Sequence, residues 1–575
     1  MLFKWNKIRV IAGVVLITLL TLIFGFYIIE EEQLQIAKLN ISGVVVPHHN
    51  MVADQRAQFF SELAEKIVPP QTIILVSPNH YYAGSGQIQS TSQDWNIGQG
   101  QILANQKIVS FLTQNKLATN EPSSFTNEHG IYNILADIKN NFPSATLVPL
   151  IIKNASLEQV HKLALGLEQS CADCLMIASV DFSHYQPALL GQLHDDYSLR
   201  AMQKLDTENI LNKAEVDSGP TLALLTSWAN NHQTDQFKLW EHTNSGIISQ
   251  NPDAESTTHI FGWYEAGDKT ASEKSVSFIV GGDVMFARKI HYDFKNNFNK
   301  VVDQLGDRVF WGTDASIVNL EGSITNQPIK DDIRTDNLNF RFLPAISKTL
   351  EYLHINAVSQ ANNHSDNAGS AGIKTTRSVL NNINIQTFGG PTTAYVADVA
   401  TFKGQGLNLT VIGINLTFPN QNADSILSLI IQLKKDPLMK VIVMPHWGVE
   451  YLPTHTATQA NVAHAWIDAG ADMVIGGHPH VIEDAEIYKN APIIYSLGNL
   501  LFDQAFSQPV QEGLLIAGKF TDSALTFFAL PTQSIHYQPR LLTGQRKREI
   551  LDQLYTPLKN HLVQTPAGAI VQISK

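Results

Sequence analysis

Ala471-Asp472-Met473-Val474-Ile475-Gly476-Gly477-His478-Pro479-His480 is an apolar run that stops on two glycines and then presents two histidines. On extended backbone, residues two apart point the same way, so His478 and His480 can offer both imidazoles to one point, with Pro479 restricting the segment between them. Nitrogen ligands are offered to metals in this manner. Two neighbouring histidines also arise by chance on surfaces, and the rest of the C-terminal half decides between the readings.

Four more strand-like runs there finish on residues able to bind a metal. Val276 to Gly282 ends at Asp283, and Ala315 to Val318 ends at Asn319-Leu320-Glu321. Ile355 to Ala361 ends at Asn362-Asn363-His364, and Val441 to Pro445 ends at His446-Trp447-Gly448. Helical patterns such as Gly372 to Asn381 and Gln459 to Ala469 lie between them, which implies parallel strands whose carboxyl ends share one edge of a sheet. One buried carboxylate or imidazole usually has a structural explanation; five strand ends of this kind point to a metal centre that collects them.

The candidate ligands are Asp283, Glu321, Asn363, His446, His478 and His480. Carboxylate, amide oxygen and imidazole without thiolate suit manganese, iron or zinc. Six ligands exceed one tetrahedral site, so two ions are expected, with Glu321 as the candidate bridge. Paired ions favour phosphoester hydrolysis, and amide hydrolysis stays open. His364 could donate a proton to a leaving group, steady a developing negative charge or only hydrogen-bond a ligand, and Arg288, five residues after Asp283, could contact a phosphate or carboxylate or form a surface salt bridge.

These residues resemble the CapA family of capsule-synthesis proteins, which is linked to poly-gamma-glutamate and similar in fold to calcineurin-like metallophosphoesterases. The matching blocks are Gly282-Asp283-Val284-Met285, Asn319-Leu320-Glu321, Ala361 to His364, His446 to Tyr451, Asp468 to Asp472, Gly477 to His480 and Tyr495 to Gln504, in family order. Gln538-Pro539-Arg540 resembles the family's C-terminal end. The resemblance implies that the six ligands hold two ions, and that Asn499 and Asp503 shape the pocket or cap a turn. Typical metallophosphoesterases carry Asp-x-His in the first motif; Met285 stands at that position, so the first ion has one ligand fewer.

In the N-terminal half, Ile41 to Val46 ends at Pro47-His48-His49; a helical stretch from Ala57 to Ile67 follows, and Thr72 to Val76 ends at Ser77-Pro78-Asn79-His80. This reads as a β-α-β unit delivering a histidine at each carboxyl end, the edge where open α/β sheets bind ligands. Glu128-His129-Gly130, Asp181-Phe182-Ser183-His184 and Asp217-Ser218-Gly219-Pro220 are further polar clusters, which either join a metal or substrate pocket or serve as caps and buried histidines. Lys38 to Ala266 resembles the Memo-like family, which includes AmmeMemoRadiSam system protein B and is similar in fold to class III extradiol dioxygenases. The resemblance implies His48 and His80 as ligands of a single metal, with His129, Asp181 and His184 lining the pocket. Family members commonly carry a cysteine where Ser218 stands, so the third ligand is open: Asp217 could substitute, or the domain could have lost its metal and kept only a binding or scaffolding role.

The expected fold is thus α/β: an N-terminal transmembrane helix, a Memo-like (extradiol-dioxygenase-like) α/β domain, and a calcineurin-like metallophosphoesterase α/β sandwich. The expected boundaries are 1–37 for the cytoplasmic tip, anchor and spacer, 38–266, a linker at 267–275, and 276–575. Val10 to Ile29 has no charged residue; Lys4, Lys7 and Arg9 precede it and Glu30 to Glu32 follow, which predicts an uncleaved single-pass anchor over a cleaved signal peptide. The bulk of the chain then lies outside the cytoplasm at the cell membrane. With 44% apolar and 16% charged residues and a net charge of −12, a globular protein is expected and nucleic acid is excluded as a partner. Cys171 and Cys174 could close a small disulfide or form a redox pair, and no chemistry is assigned to them. The expected role is a metal-dependent hydrolase that makes, anchors or trims an anionic envelope polymer such as poly-gamma-glutamate, with a phosphoester substrate or a polymer-synthase complex as partners. A non-catalytic assembly factor, or iron-dependent oxygenase chemistry in the Memo-like domain, are the alternatives.

Overall fold

Strand alternation builds the layers of the C-terminal half. The computed structural model describes residues 40–98, 100–267, 273–419 and 421–574. Along the strand Ser275–Val284, Val276, Phe278 and Val280 join one apolar core while Ile279 joins another, as the two-residue repeat of extended backbone requires. The first core also takes Leu409, Val411, Ile442 and Met444, so it lies between two sheets. Ile412, Ile414, Val441 and Val443 face the opposite way, against Ile426 and Ile430 and against Trp466 of the helix Ala457–Asp468. This is an α/β sandwich, with helices packed outside the sheets.

The larger sheet runs Gln386–Phe388, Ala357–Ser359, Ala315–Leu320, Ser275–Val284, Glu512–Thr521, Ala524–Ile535, Gly568–Ser574, Leu562–Thr565, and its first four strands are parallel. The smaller sheet runs Ala400–Lys403, Asn408–Asn415, Met439–His446, Met473–Ile475, Ala491–Ile494, Ala485–Tyr488. The five ligand-bearing strands therefore belong to two sheets, three in one and two in the other, and not to one sheet as the sequence pattern implied. Every one of them is buried on both faces, and an unbroken apolar run carries no mark of which sheet it joins.

Four parallel strands in the order Ile41–Val46, Leu175–Ser179, Thr72–Pro78, Thr146–Ile152 centre the N-terminal sheet. The helix Ala53–Lys66 links the two strands expected to form a β-α-β unit, but Leu175–Ser179 pairs between them. Cys171 and Cys174 are joined in a disulfide after the helix Leu157–Ser170. Ser275, expected to end the linker, already pairs with Thr521 as the first residue of its strand.

By packing, the chain forms two compact units. One contains the residues through Val180 with Pro220–Glu241 and Phe261–Lys269; the other contains Asp181–Gly219, His242–Ile260 and Thr270–Lys575. This division differs from the linear boundaries read from the sequence. The anchor expected at Val10 to Ile29 lies outside the described residues. Among the described residues, no helix is long and apolar enough to cross a membrane.

Candidate metal centre

Asp283 sits near the end of its strand, and the register places Asn319 and Asn499 beside it on the two flanking strands. Its carboxylate is fully buried. Oδ1 accepts a hydrogen bond from Asn319 Nδ2 at 2.8 Å, and Oδ2 accepts one from the His478 backbone amide at 3.2 Å. Gly477 permits this approach, because a Cβ there would stand 2.9 Å from Asp283 Oδ1. Gly476 is constrained more severely: its Cβ would lie 2.0 Å from the Tyr495 carbonyl oxygen and 2.5 Å from Trp447 Nε1.

His478 and His480 are not on extended backbone. Their φ angles are 97° and 58°, the left-handed region that non-glycine residues enter at a cost of order 1–3 kcal/mol each. The reading that the two residues lie on extended backbone is therefore corrected; their ring centroids stand 6.0 Å apart. His480 Nδ1 is 3.0 Å from Asn499 Oδ1 and 3.4 Å from Asp283 Oδ2, which leaves Nε2 facing Glu321 Oε1 at 3.8 Å. His478 instead approaches His446, with centroids 4.8 Å apart.

Glu321 is the most informative side chain. It is completely buried, and neither carboxylate oxygen has a hydrogen-bond partner among the described residues. Burial pushes its carboxyl well above the usual range. Leaving such a group unsatisfied costs about 1–3 kcal/mol or more, so the fold carries it at a loss unless something else meets it. Ligand atoms of Asp283, Glu321 and His480 all lie within 4.8 Å of one another. One divalent cation would satisfy all three, and the donor set fits manganese, iron or zinc.

The remaining candidates form a second group. His446 Nε2 is 2.9 Å from Asn363 Oδ1, and Asn319 Nδ2 lies 3.4 Å from His446 Nδ1. Burial and the neighbouring His478 hold His446 well below the usual imidazole range, and burial and the His480 charge bring His478 down to about 4. Both are neutral at pH 7, the form that ligates metals. Met285, at the position where an Asp-x-His motif would place a histidine, is buried in the core and its Sδ accepts the Ala287 amide.

His364 lies beside the first group, its Nε2 3.8 Å from Glu321 Oε1. Its Nδ1 is 3.0 Å from Asn367 Oδ1, an oxygen that also accepts the Phe340 amide, so Nδ1 carries the proton and Nε2 the lone pair. Burial lowers its pKa to about 4, and the ring packs on Phe340. Arg288 is not at the surface: it is buried, ion-paired with Asp503, bonded through Nη1 to the Thr335 carbonyl, and held over the rings of Phe340 and Phe502. Those rings in turn touch His364 and His480, so Arg288 braces ligand-bearing side chains. Asn319, which joins Asp283, His446 and Asn362, was missed as a site residue, although its place two residues before Glu321 was the available signal.

Three residues past His480, Glu483 is buried with Oε2 accepting from Gln459 Nε2 at 2.9 Å and Oε1 unpartnered among the described residues. Burial, reinforced by the Asp484 charge, raises its pKa from 4.5 to about 7. The folded state thus holds a proton that the unfolded chain releases, and the resulting stabilisation is full below about 4.5 and lost as pH rises through about 7. Thermal melts from pH 5 to 8 should therefore show Glu483→Gln gaining steadily on the parent; parallel curves would refute this.

In the other unit, His48, His80 and His129 come together, with ligand atoms within 4.8 Å of one another. Asp181, His184, Asp217 and Ser218 belong by packing to the second unit, where Asp217 Oδ2 accepts the Asp181 amide at 3.0 Å.

Comparison with known proteins places His48, His80, His129, Asp181, His184, Asp217 and Ser218 in one N-terminal match and the six C-terminal candidate ligands in another. Residues 277–504 match the family of the bacterial capsule synthesis protein PGA_cap, and residues 23–257 match the Memo-like protein family. The PGA biosynthesis protein CapA of Bacillus subtilis (strain 168) is 27% identical over 43% of this chain and 68% of its own length. The capsule biosynthesis protein CapA of Bacillus anthracis is 24% identical over 43% of this chain and 64% of its own, so the match spans about two thirds of each relative. A MEMO1 family protein of Caldivirga maquilingensis is 24% identical over 36% of this chain and 78% of its own. The chain thus joins a Memo-like N-terminal domain to a CapA-like C-terminal domain.

Proposed function

We propose that the C-terminal domain is a divalent-metal hydrolase of the calcineurin-like phosphoesterase type, serving the synthesis, anchoring or trimming of an anionic envelope polymer such as poly-gamma-glutamate. The observation that carries the hydrolase reading is Glu321, a buried carboxylate with no hydrogen-bond donor among the described residues, set against Asp283 and His480. The polymer is suggested by the names of the CapA relatives.

Asp283, Glu321 and His480 would hold one ion, and His446, His478 and Asn363 a second. Bound there, such ions polarise a phosphoryl or acyl oxygen and lower the pKa of water. Asn319 and Asn499 orient Asp283, His446 and His480 through their amides. His364 presents an unprotonated Nε2 toward the Glu321 side of the site, which suits it to take a proton from the nucleophile and return it to the leaving group. Anchoring through Val10 to Ile29 would place this centre at the outer face of the cell membrane, beside a polymer synthase.

The test is hydrolysis of a phosphodiester and of poly-gamma-glutamate by the full chain loaded with Mn2+, Fe2+ or Zn2+. Turnover that disappears in His478→Ala supports the proposal; no cleavage of either substrate by any loaded form overturns it. A second reading, a non-catalytic assembly factor, draws on the 2.9 Å contact of His446 with Asn363, by which two second-group ligands already satisfy each other.

A further inference from the structure

We propose that an exposed apolar rim beside the C-terminal metal centre takes the hydrocarbon chain of an amphiphilic phosphoester, so that the group attached to the phosphate is lipid-like. The proposal rests on the hydrolase reading for the position of the phosphoryl group, and adds the class of group joined to it.

The rim grows out of two segments that carry the centre. The strand Met439–His446 ends on the candidate ligand His446, and the chain then turns through Val449 to Leu452, where the Leu452 amide donates to the Val449 carbonyl at 3.3 Å. Tyr451 stands in the left-handed region, with φ of 66°, and its amide donates at 2.8 Å to the carbonyl of Pro479, between His478 and His480. Surrounding contacts must hold a non-glycine residue in that region, and such positions concentrate at ligand clamps. The second segment follows the strand Asn499–Leu501. Gln504 Nε2 donates to the Tyr451 hydroxyl at 3.2 Å, and Gln504 Oε1 accepts from Asn499 Nδ2 at 3.1 Å. Asn499 Oδ1 in turn lies 3.0 Å from His480 Nδ1. Side-chain hydrogen bonds thus tie Tyr451 to the ring of a candidate ligand.

From that ring an apolar path leads outward. The Tyr451 centroid stands 6.2 Å from that of His480 and 5.2 Å from that of Phe506. Phe506 is 65% exposed, Val449 54%, Tyr451 43% and Leu452 37%. Scattered exposed apolar side chains need no explanation, but four large ones on two joined segments form a patch of the kind that marks a binding surface.

Continuity with the metal centre says what covers the patch: the remainder of a molecule whose phosphoryl group meets the ions. Glu450, exposed within the same turn, sets its charge, because a carboxylate there repels a polyanionic segment. Val449 and Leu452 set its shape, since aliphatic side chains offer no flat face for a ring to stack on. A hydrocarbon chain needs only apolar surface to displace water from, and it complements all four side chains.

The test measures the affinity of the full chain, loaded with Mn2+, for alkylphosphonates from ethyl to octyl by calorimetric titration. These probes resist hydrolysis, so binding is read without turnover. Ethylphosphonate reports the metal centre, and the gain per methylene reports the rim. Full burial of a methylene is worth about fourfold in affinity and an open rim covers about half of it, so the gain should be about twofold per methylene, or about sixtyfold from ethyl to octyl. Phe506→Ser, alone and with Tyr451→Ser, should flatten that gain, whereas Val68→Ser, exposed in the other unit, should leave it intact. Phe506 has little packing to lose, so its variant keeps the test independent of folding. Ethylphosphonate binding with no gain along the series overturns the rim and spares the metal centre. An undiminished gain in Phe506→Ser, or tighter binding of glucose 6-phosphate than of octylphosphonate, also overturns the rim; failure of every probe to bind overturns both readings.

Discussion

Glu321→Gln should weaken divalent-metal binding at the C-terminal centre more than a hundredfold. Removing a group that merely supports a metal ligand typically costs 10–100-fold, and Glu321 is placed as a ligand, its oxygens having no other partner among the described residues. Calorimetric titration with Mn2+ and Zn2+ measures the loss. Affinity should also rise with pH. Burial holds the Glu321 carboxyl above its usual range, and His480 is likewise raised: burial opposes its charge, but Glu321 and Asp283 overcome that. The proton held by this Glu321–His480 pair must leave before metal binds, so uptake near neutrality releases a proton to the medium. The companion variant Glu321→Met separates function from stability. In the absence of metal it removes a buried, unsatisfied carboxyl and should stabilise the protein by about 1–3 kcal/mol, while abolishing the rise in melting temperature that metal gives the parent. A destabilised Glu321→Met, or a parent whose stability ignores metal, would show that Glu321 is an ordinary core residue.

The second large effect concerns Arg288 and Asp503. Both side chains are almost wholly buried; Arg288 Nη2 pairs with Asp503, and the Lys289 amide completes Asp503 at 3.2 Å. Breaking a buried pair from one side costs about 3–5 kcal/mol, because a desolvated charge is left without its partner. Asp503→Ala should therefore lower the unfolding free energy by that amount in urea titrations. The double replacement Arg288→Met with Asp503→Leu should recover most of the loss, since exchanging a buried ion pair for apolar groups is often neutral or better. If Arg288→Met alone leaves stability intact but removes hydrolysis, Arg288 contacts substrate, one of the two roles its sequence left open. The geometry favours bracing, because Arg288 Nη1 and Nη2 are committed to Thr335 and Asp503 and the guanidinium lies over Phe340 and Phe502.

Much of the candidate site was legible because the chemistry sits next to local signals. Apolar runs ending on Asp283, Glu321, His446 and the His478-Pro479-His480 turn identify strand ends from residue types alone, and Gly476 and Gly477 mark where backbone must approach a neighbour. The helices Gly369–Asn381 and Ala457–Asp468 follow from periodicity in the same way. Residue types alone showed the histidines at His48, His80 and His129, whereas the absence of a histidine at Met285 was visible only through the family resemblance.

Pairing between distant segments decided the rest. Two sheets rather than one carry the ligands, since a strand buried on both faces has no pattern that names its neighbours. Leu175–Ser179 enters between two strands joined by a helix for the same reason. His478 and His480 part company because tertiary contacts, the Asp283 carboxylate on one backbone amide and Asn499 on one ring, hold both residues in left-handed conformations that local preference disfavours. Residue types therefore determined that this protein offers metal-binding side chains at strand ends. Only the tertiary structure decided their grouping, because whether a buried carboxylate such as Glu321 has a partner depends on atoms far away in the chain.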